Sequence, residues 1–205
     1  MIARPPAGVI FDLDGTLLDS RDMWFALVCA AAARWGGPPP RRADFDRTFG
    51  QATAADIEQF FPGPTVAEVD AFWSEHWREH AHLIHALPGA LDVTAQLRAR
   101  GVKLACATNS VRAVALPALE QVGLLTRMDA VAAVDDAHAP KPAPDLVRLA
   151  AARMGLPVGK CVMVGDSAFD VLAGSGAGCG VAGIGVDADV RIANLRELPA
   201  VLGLA

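Results

Sequence analysis

Short apolar runs alternate with amphipathic stretches along most of this chain, and the rhythm breaks once, between residues 20 and 87. Strands are expected at residues 8–11, 102–107, 130–134, 161–164 and 180–184, where Val, Ile, Ala, Leu and Cys crowd together. Apolar residues at three- and four-residue spacing predict helices at 89–100, 111–122, 144–154 and 169–177, each with a Gly nearby to stop it. Strand and helix in alternation imply βαβ units and a parallel sheet, hence an α/β fold. Residues 20–87 carry helical patterns without a convincing strand. Helices are expected there at 23–35, 45–61 and 65–82, divided by Gly36-Gly37-Pro38-Pro39-Pro40 and Pro62-Gly63-Pro64. The pattern therefore predicts a core of residues 1–19 and 88–205 and a helical domain, 20–87, inserted into it.

The expected first strand ends abruptly in two acids, in Val9-Ile10-Phe11-Asp12-Leu13-Asp14-Gly15-Thr16. In extended backbone, side chains at i and i+2 share a side, so Asp12 and Asp14 can address one ligand. Two such carboxylates repel unless a cation or a shared proton compensates them. Ligands of open parallel sheets bind beyond the carboxyl ends of the strands. Polar residues gather there at three further points: Thr108-Asn109-Ser110, Lys141-Pro142, and Gly165-Asp166-Ser167 with Asp170 four residues after Asp166.

Taken singly, these groups have plain structural readings. Thr108–Ser110 could cap the next helix, Asp166 could cap another, and Lys141 could be a solvated loop lysine. Together they describe a metal site beside a phosphate-sized anion pocket. Asp12, Asp14, Asp166 and Asp170 suit a hard divalent cation such as Mg2+, while Lys141, Thr108 and Asn109 suit phosphoryl oxygens.

Composition narrows the setting without changing that picture. With 205 residues, 53% hydrophobic and 20% charged, the chain can bury a substantial core and is no disordered segment. Its net charge of -5, with no local Lys/Arg cluster, gives no case for nucleic acid or an anionic membrane as partner. Four scattered cysteines without a CxxC read as buried thiols in a reducing compartment. No apolar run is long enough to span a bilayer and the N-terminus lacks a signal-peptide core, so a cytoplasmic location is expected.

The motifs resemble those of the haloacid dehalogenase (HAD) superfamily, and within it the branch of phosphoglycolate phosphatases and β-phosphoglucomutases. Asp-Leu-Asp-Gly-Thr-Leu-Leu-Asp-Ser at 12–20 is similar to the first motif and Thr108-Asn109 to the second. Lys141-Pro142-Ala143-Pro144-Asp145 is similar to the third and Gly165-Asp166-Ser167-Ala168-Phe169-Asp170 to the fourth. The resemblance implies a Rossmann-like parallel sheet with a small helical cap over the site, hinged near 19–20 and 87–89. It implies that Asp12 attacks phosphorus to form an aspartyl-phosphate and that Asp14 acts as general acid, then base. Mg2+ would be held by the Asp12 carboxylate, the Asp14 main-chain carbonyl and Asp166, with Asp170 nearby. Lys141 would screen the charge, and Thr108 and Asn109 would hold the transferring group.

The second acid, Asp14, favours a phosphatase or phosphomutase over a dehalogenase, since halide needs no proton to leave. A Schiff-base lysine in the cap is excluded, because no lysine precedes Lys103. The expected activity is Mg2+-dependent hydrolysis of a small phosphomonoester, phosphoglycolate or sugar-phosphate-like, by a monomer or homodimer. A phosphomutase, a signalling receiver and a non-catalytic binding protein are the rival readings. Arg47 and Gln51, in the turn 47–51, are the expected substrate-facing cap residues. In the histidine-rich stretch 76–85, His76 and His80 share a helix face and could ligate a transition metal with Glu79 or His82 nearby, or the stretch could be an ordinary polar surface.

Overall fold

A computed structural model describes residues 2–204. Six parallel strands form one sheet in the order β5-β4-β1-β6-β7-β8. These are β1 (Gly8–Phe11), β4 (Lys103–Ala107), β5 (Ala130–Ala132), β6 (Cys161–Gly165), β7 (Gly180–Ile184) and β8 (Val190–Ile192). β1 lies between β4 and β6, with Ile10 paired to Ala105 on one side and Met163 on the other. The five expected strands are all present; β8 is additional, a short edge strand whose Arg191 breaks the apolar run that would have announced it.

Alternation along β1 sends its side chains to two cores. Val9 and Phe11 pack with α5 (Ala90–Ala99), α6 (Arg112–Gln121) and the short α9 (Leu198–Val201). Ile10 packs on the opposite face with α7 (Asp145–Arg153) and α8 (Ala168–Ala177). Because both faces are covered, the strands read as continuous apolar runs, as buried parallel strands do. Truncating Ile10 or Phe11, both fully buried, to Ala would cost roughly 3–5 kcal/mol.

The chain leaves the sheet through β2 (Leu18–Asp19) and returns through β3 (His85–Ala86), which pair antiparallel. Between them lie only helices: α1 (Arg21–Trp35), α2 (Arg42–Thr48), α3 (Thr53–Phe60) and α4 (Val66–His76), followed by a 3-10 segment, Trp77–Leu83. The single helix expected over 45–61 is thus two. It breaks at Phe49-Gly50, where Gly50 takes a left-handed φ of 87°. Thr65 starts α4 with a reciprocal capping box to Glu68. Trp24, Trp35, Phe61, Phe72 and Trp73 form edge-on and stacked ring pairs at the centre of this helical segment. These contacts make the rings the packing centre of the helical segment.

The strand order decides where a site can form. The connection from β1 leads to β4 on one side, while β6 lies on the other and leads outward to β7 and β8. A crevice opens where the connections diverge, at the carboxyl ends of β1 and β6. Asp12 and Asp166 follow those two strands directly.

Candidate active site

Four charged side chains meet in this crevice: Asp12, Lys141 and Asp170 are buried and Asp166 is half-buried. Lys141, 2% exposed, places Nζ 2.6 Å from Asp12 Oδ1 and 2.6 Å from Asp170 Oδ1. Carboxylate oxygens of Asp12, Asp166 and Asp170 lie within 4.8 Å of one another, the only such cluster of metal-ligating side chains among the described residues. Two glycines make the approach possible. A Cβ on Gly15, whose φ is 87°, would stand 2.3 Å from Asp166 Oδ2, and one on Gly165 would stand 2.2 Å from Asp170 Cγ.

The surrounding chain fixes each member. Ser167, rather than Asp166, caps α8: its hydroxyl accepts from the Asp170 amide and donates to Asp170 Oδ2 at 2.6 Å. Asp170 is thereby held through Oδ2 while Oδ1 takes Lys141. Asp166, free of capping, accepts from Thr16 Oγ1 at 2.9 Å. Asn109 donates to the Lys141 carbonyl at 3.1 Å and accepts from its amide at 2.8 Å, so its role in the structure is to hold the lysine's loop. Thr108, Asn109 and Ser110 do not cap α6; Val111 occupies that position without a side-chain bond.

Electrostatics show a deficit of positive charge. Burial, reinforced by Asp170, pushes Asp12 well above the ordinary carboxylate range, against the pull of Lys141. Burial and Asp170 likewise push Asp166 up to about 6. Burial drags Lys141 down, but the charges of Asp12 and Asp170 outweigh it and hold the lysine protonated, above its usual value. Three carboxylates and one ammonium leave two negative charges, which a divalent cation would neutralise. The all-oxygen donor set fits a hard cation.

Asp14 is held apart from this cluster. Its carboxylate accepts from Ser20 Oγ, from Trp24 Nε1 at 2.9 Å and from Ser110 Oγ at 2.6 Å. Its side chain is outside the three-acid cluster, so any part in metal binding falls to its main chain. Sequence reasoning missed Ser20, Trp24 and Ser110 as its partners. Trp24 had a signal only for packing, and it does pack on Trp73 at 5.8 Å, while its indole nitrogen reaches the acid.

A cleft opens above Asp12 and Asp14, floored by Thr108–Val111 and roofed by Trp24, Phe45, Phe49, Gly50, Gln51, Thr53, Asp56 and Trp73. The roof touches the floor where Asn109 Nδ2 donates to Gly50 O at 3.1 Å. Gln51 lines the cleft as expected. Arg47 does not: it pairs with Asp44 one turn back, its side chain 69% exposed. The histidines build no metal site. His76 hydrogen-bonds Glu79 at 2.8 Å, and α4 ends there, so the helical spacing to His80 is lost.

The chain is similar in sequence and fold to known proteins. Phosphoglycolate phosphatase, plasmid, of Cupriavidus necator is 30% identical over 98% of this chain and 95% of its own length. Hexitol phosphatase A of Escherichia coli is 30% identical over 93% and 88%. The fold matches that of CbbY from Rhodobacter sphaeroides, solved in complex with phosphate, with a TM-score of 0.83 at 22% identity over 94% of this chain and 96% of that one. No helix among the described residues is long and apolar enough to cross a membrane. Residues 9–184 match the model of the haloacid dehalogenase-like hydrolases, and the chain belongs to that enzyme family.

Proposed function

We propose that this chain is a Mg2+-dependent phosphatase that hydrolyses a small phosphomonoester through an aspartyl-phosphate at Asp12. The observation that carries the reading is the position of Asp12, the one acid shared by the cleft and the three-acid cluster, with Lys141 at 2.6 Å. Asp12 Oδ1 accepts from Lys141 and from the Leu13 amide, which leaves Oδ2 to attack phosphorus. Asp14, held by three donors, would give a proton to the departing alcohol and take one from the hydrolytic water. Lys141 would offset the negative charge of attacking carboxylate and phosphate together, and the Thr108 hydroxyl would hold a phosphoryl oxygen. Mg2+, bound by Asp12, Asp166 and Asp170 and the main chain of Asp14, would supply the remaining screening.

In this reading residues 1–19 and 88–205 are the catalytic core and 20–87 a cap that excludes water. The names of the relatives support a phosphatase. Phosphate release from a panel of small phosphomonoesters, with and without Mg2+, tests the proposal. Wild-type protein should release phosphate only with the metal, and Asp12→Asn should not. Undiminished hydrolysis by Asp12→Asn would refute it.

A further inference from the structure

The two ends of the cleft differ in hydrogen-bonding character. At the floor, the Thr108 hydroxyl is a donor suited to a phosphoryl oxygen, and Lys141 lies behind it, bonded to Asp12 and Asp170. At the roof, the hydroxyl and amide side chains of Thr48, Thr53 and Gln51 have already committed their donors. The Thr48 hydroxyl is turned back to the Asp44 and Phe45 carbonyls, and Thr53 donates to Asp70 at 2.7 Å. The Gln51 amide donates to Asp56 at 2.7 Å and to Gln59 at 3.1 Å. What the roof leaves open are acceptors: the remaining carboxylate oxygen of Asp56 and the carbonyl oxygen of Gln51.

No Lys or Arg among the described residues lines the roof. The nearby arginines pair with other acids: Arg21 and Arg42 with Asp46, Arg42 also with Asp22, and Arg41 and Arg47 with Asp44, and Arg21 also lies 4.1 Å over the Phe49 ring. Burial without a cationic partner pushes Asp56 up to about 7, only partly offset by Gln51. A carboxylate kept in that condition inside a cleft is matched by a ligand that brings a donor. The faces of the rings of Trp24, Trp73, Phe45 and Phe49 around it favour C–H groups or a cation.

We propose that the alcohol portion of the substrate carries no negative charge and donates a hydroxyl or ammonium hydrogen bond to Asp56. The chain then prefers short polyol or amino-alcohol phosphates to esters whose leaving group bears a carboxylate or a second phosphate. The inference rests on the phosphatase reading and makes Asp56 a specificity-determining residue of that site.

The test compares kcat/KM for glycerol 1-phosphate, phosphoethanolamine, phosphoglycolate and p-nitrophenyl phosphate in the presence of Mg2+. The first two should each exceed phosphoglycolate by roughly tenfold or more, the discrimination typical of a site whose polar group is left unmatched. Asp56→Asn, which keeps the shape and the acceptor for Gln51, should lower the ratio of phosphoethanolamine to phosphoglycolate by about tenfold, and Asp56→Arg should invert it. A purely structural role for Asp56 would lower all activities together and leave the ratios in place, which would overturn the inference. So would phosphoglycolate as the best substrate of the wild type, with the phosphatase reading intact. If even p-nitrophenyl phosphate is not hydrolysed, that reading falls and this inference falls with it.

Discussion

The floor and the roof of the cleft are built on opposite terms. At and beneath the floor every charged side chain has partners on at least one other element: Lys141 bridges Asp12 and Asp170, Asp170 also closes the capping box of α8, and Thr16 holds Asp166. At the roof Asp56 meets one neutral amide, and aromatic rings supply most of the surface. A floor of interlocked charges can keep a reacting geometry fixed; a roof of rings and spare acceptors chooses what leaves. Under the proposed reaction, chemistry and specificity would be separated in space, on the sheet and on the inserted helices.

The largest effect should come from the floor. Asp12→Asn should lower Mg2+-dependent phosphate release by about 10^4 or more, because it removes the nucleophile rather than a supporting contact. Lys141→Met should follow. It leaves Asp12 and Asp170 buried without their ammonium, which should destabilise the fold by roughly 3–5 kcal/mol in urea unfolding and lower kcat by at least about 10^2.

Asp56→Asn tests the roof by a change of opposite sign. A carboxyl raised to about 7 disfavours the folded state as pH climbs from the ordinary carboxylate range through 7, since the unfolded chain gives up the proton more readily. The variant should therefore be more stable than wild type at pH 8, on the order of 1–2 kcal/mol after allowance for its partial exposure. It should gain nothing below about pH 4. Equal urea midpoints at pH 8 would place Asp56 among ordinary surface acids.

The smallest effect concerns the contact that joins the two regions. Trp24→Phe keeps a ring against Trp73 but deletes the N–H to Asp14. It should lower kcat by roughly tenfold, the value of one hydrogen bond to a charged group, and shift the pH profile of the reaction. A change in KM alone would sever Trp24 from the acid.

The floor was legible in the sequence because its residues follow apolar strands at once: Asp12 after Phe11, Asp166 after Gly165. Strand direction then brings them together without further information. Lys141 and Asn109 could be named, but their bond to each other could not, since it joins loops 32 residues apart. The break at Gly50, the spent donors of Thr48 and Thr53 and the placement of Asp56 depend on how three short helices pack, which periodicity does not encode. Arg47 lies outside the cleft for the same reason: a pairing with Asp44 at i−3 competes with any ligand. The strand β8 carries too few apolar positions to be seen.

The central claim is that Asp12 becomes phosphorylated. Enzyme turning over a phosphomonoester with Mg2+ can be quenched with borohydride, which reduces an acyl-phosphate to an alcohol, and the peptide containing residue 12 analysed by mass spectrometry. Homoserine at position 12, formed only when substrate and Mg2+ are both present, is the predicted result. Continued hydrolysis with Asp12 recovered unmodified under conditions that trap an acyl-phosphate standard would contradict it.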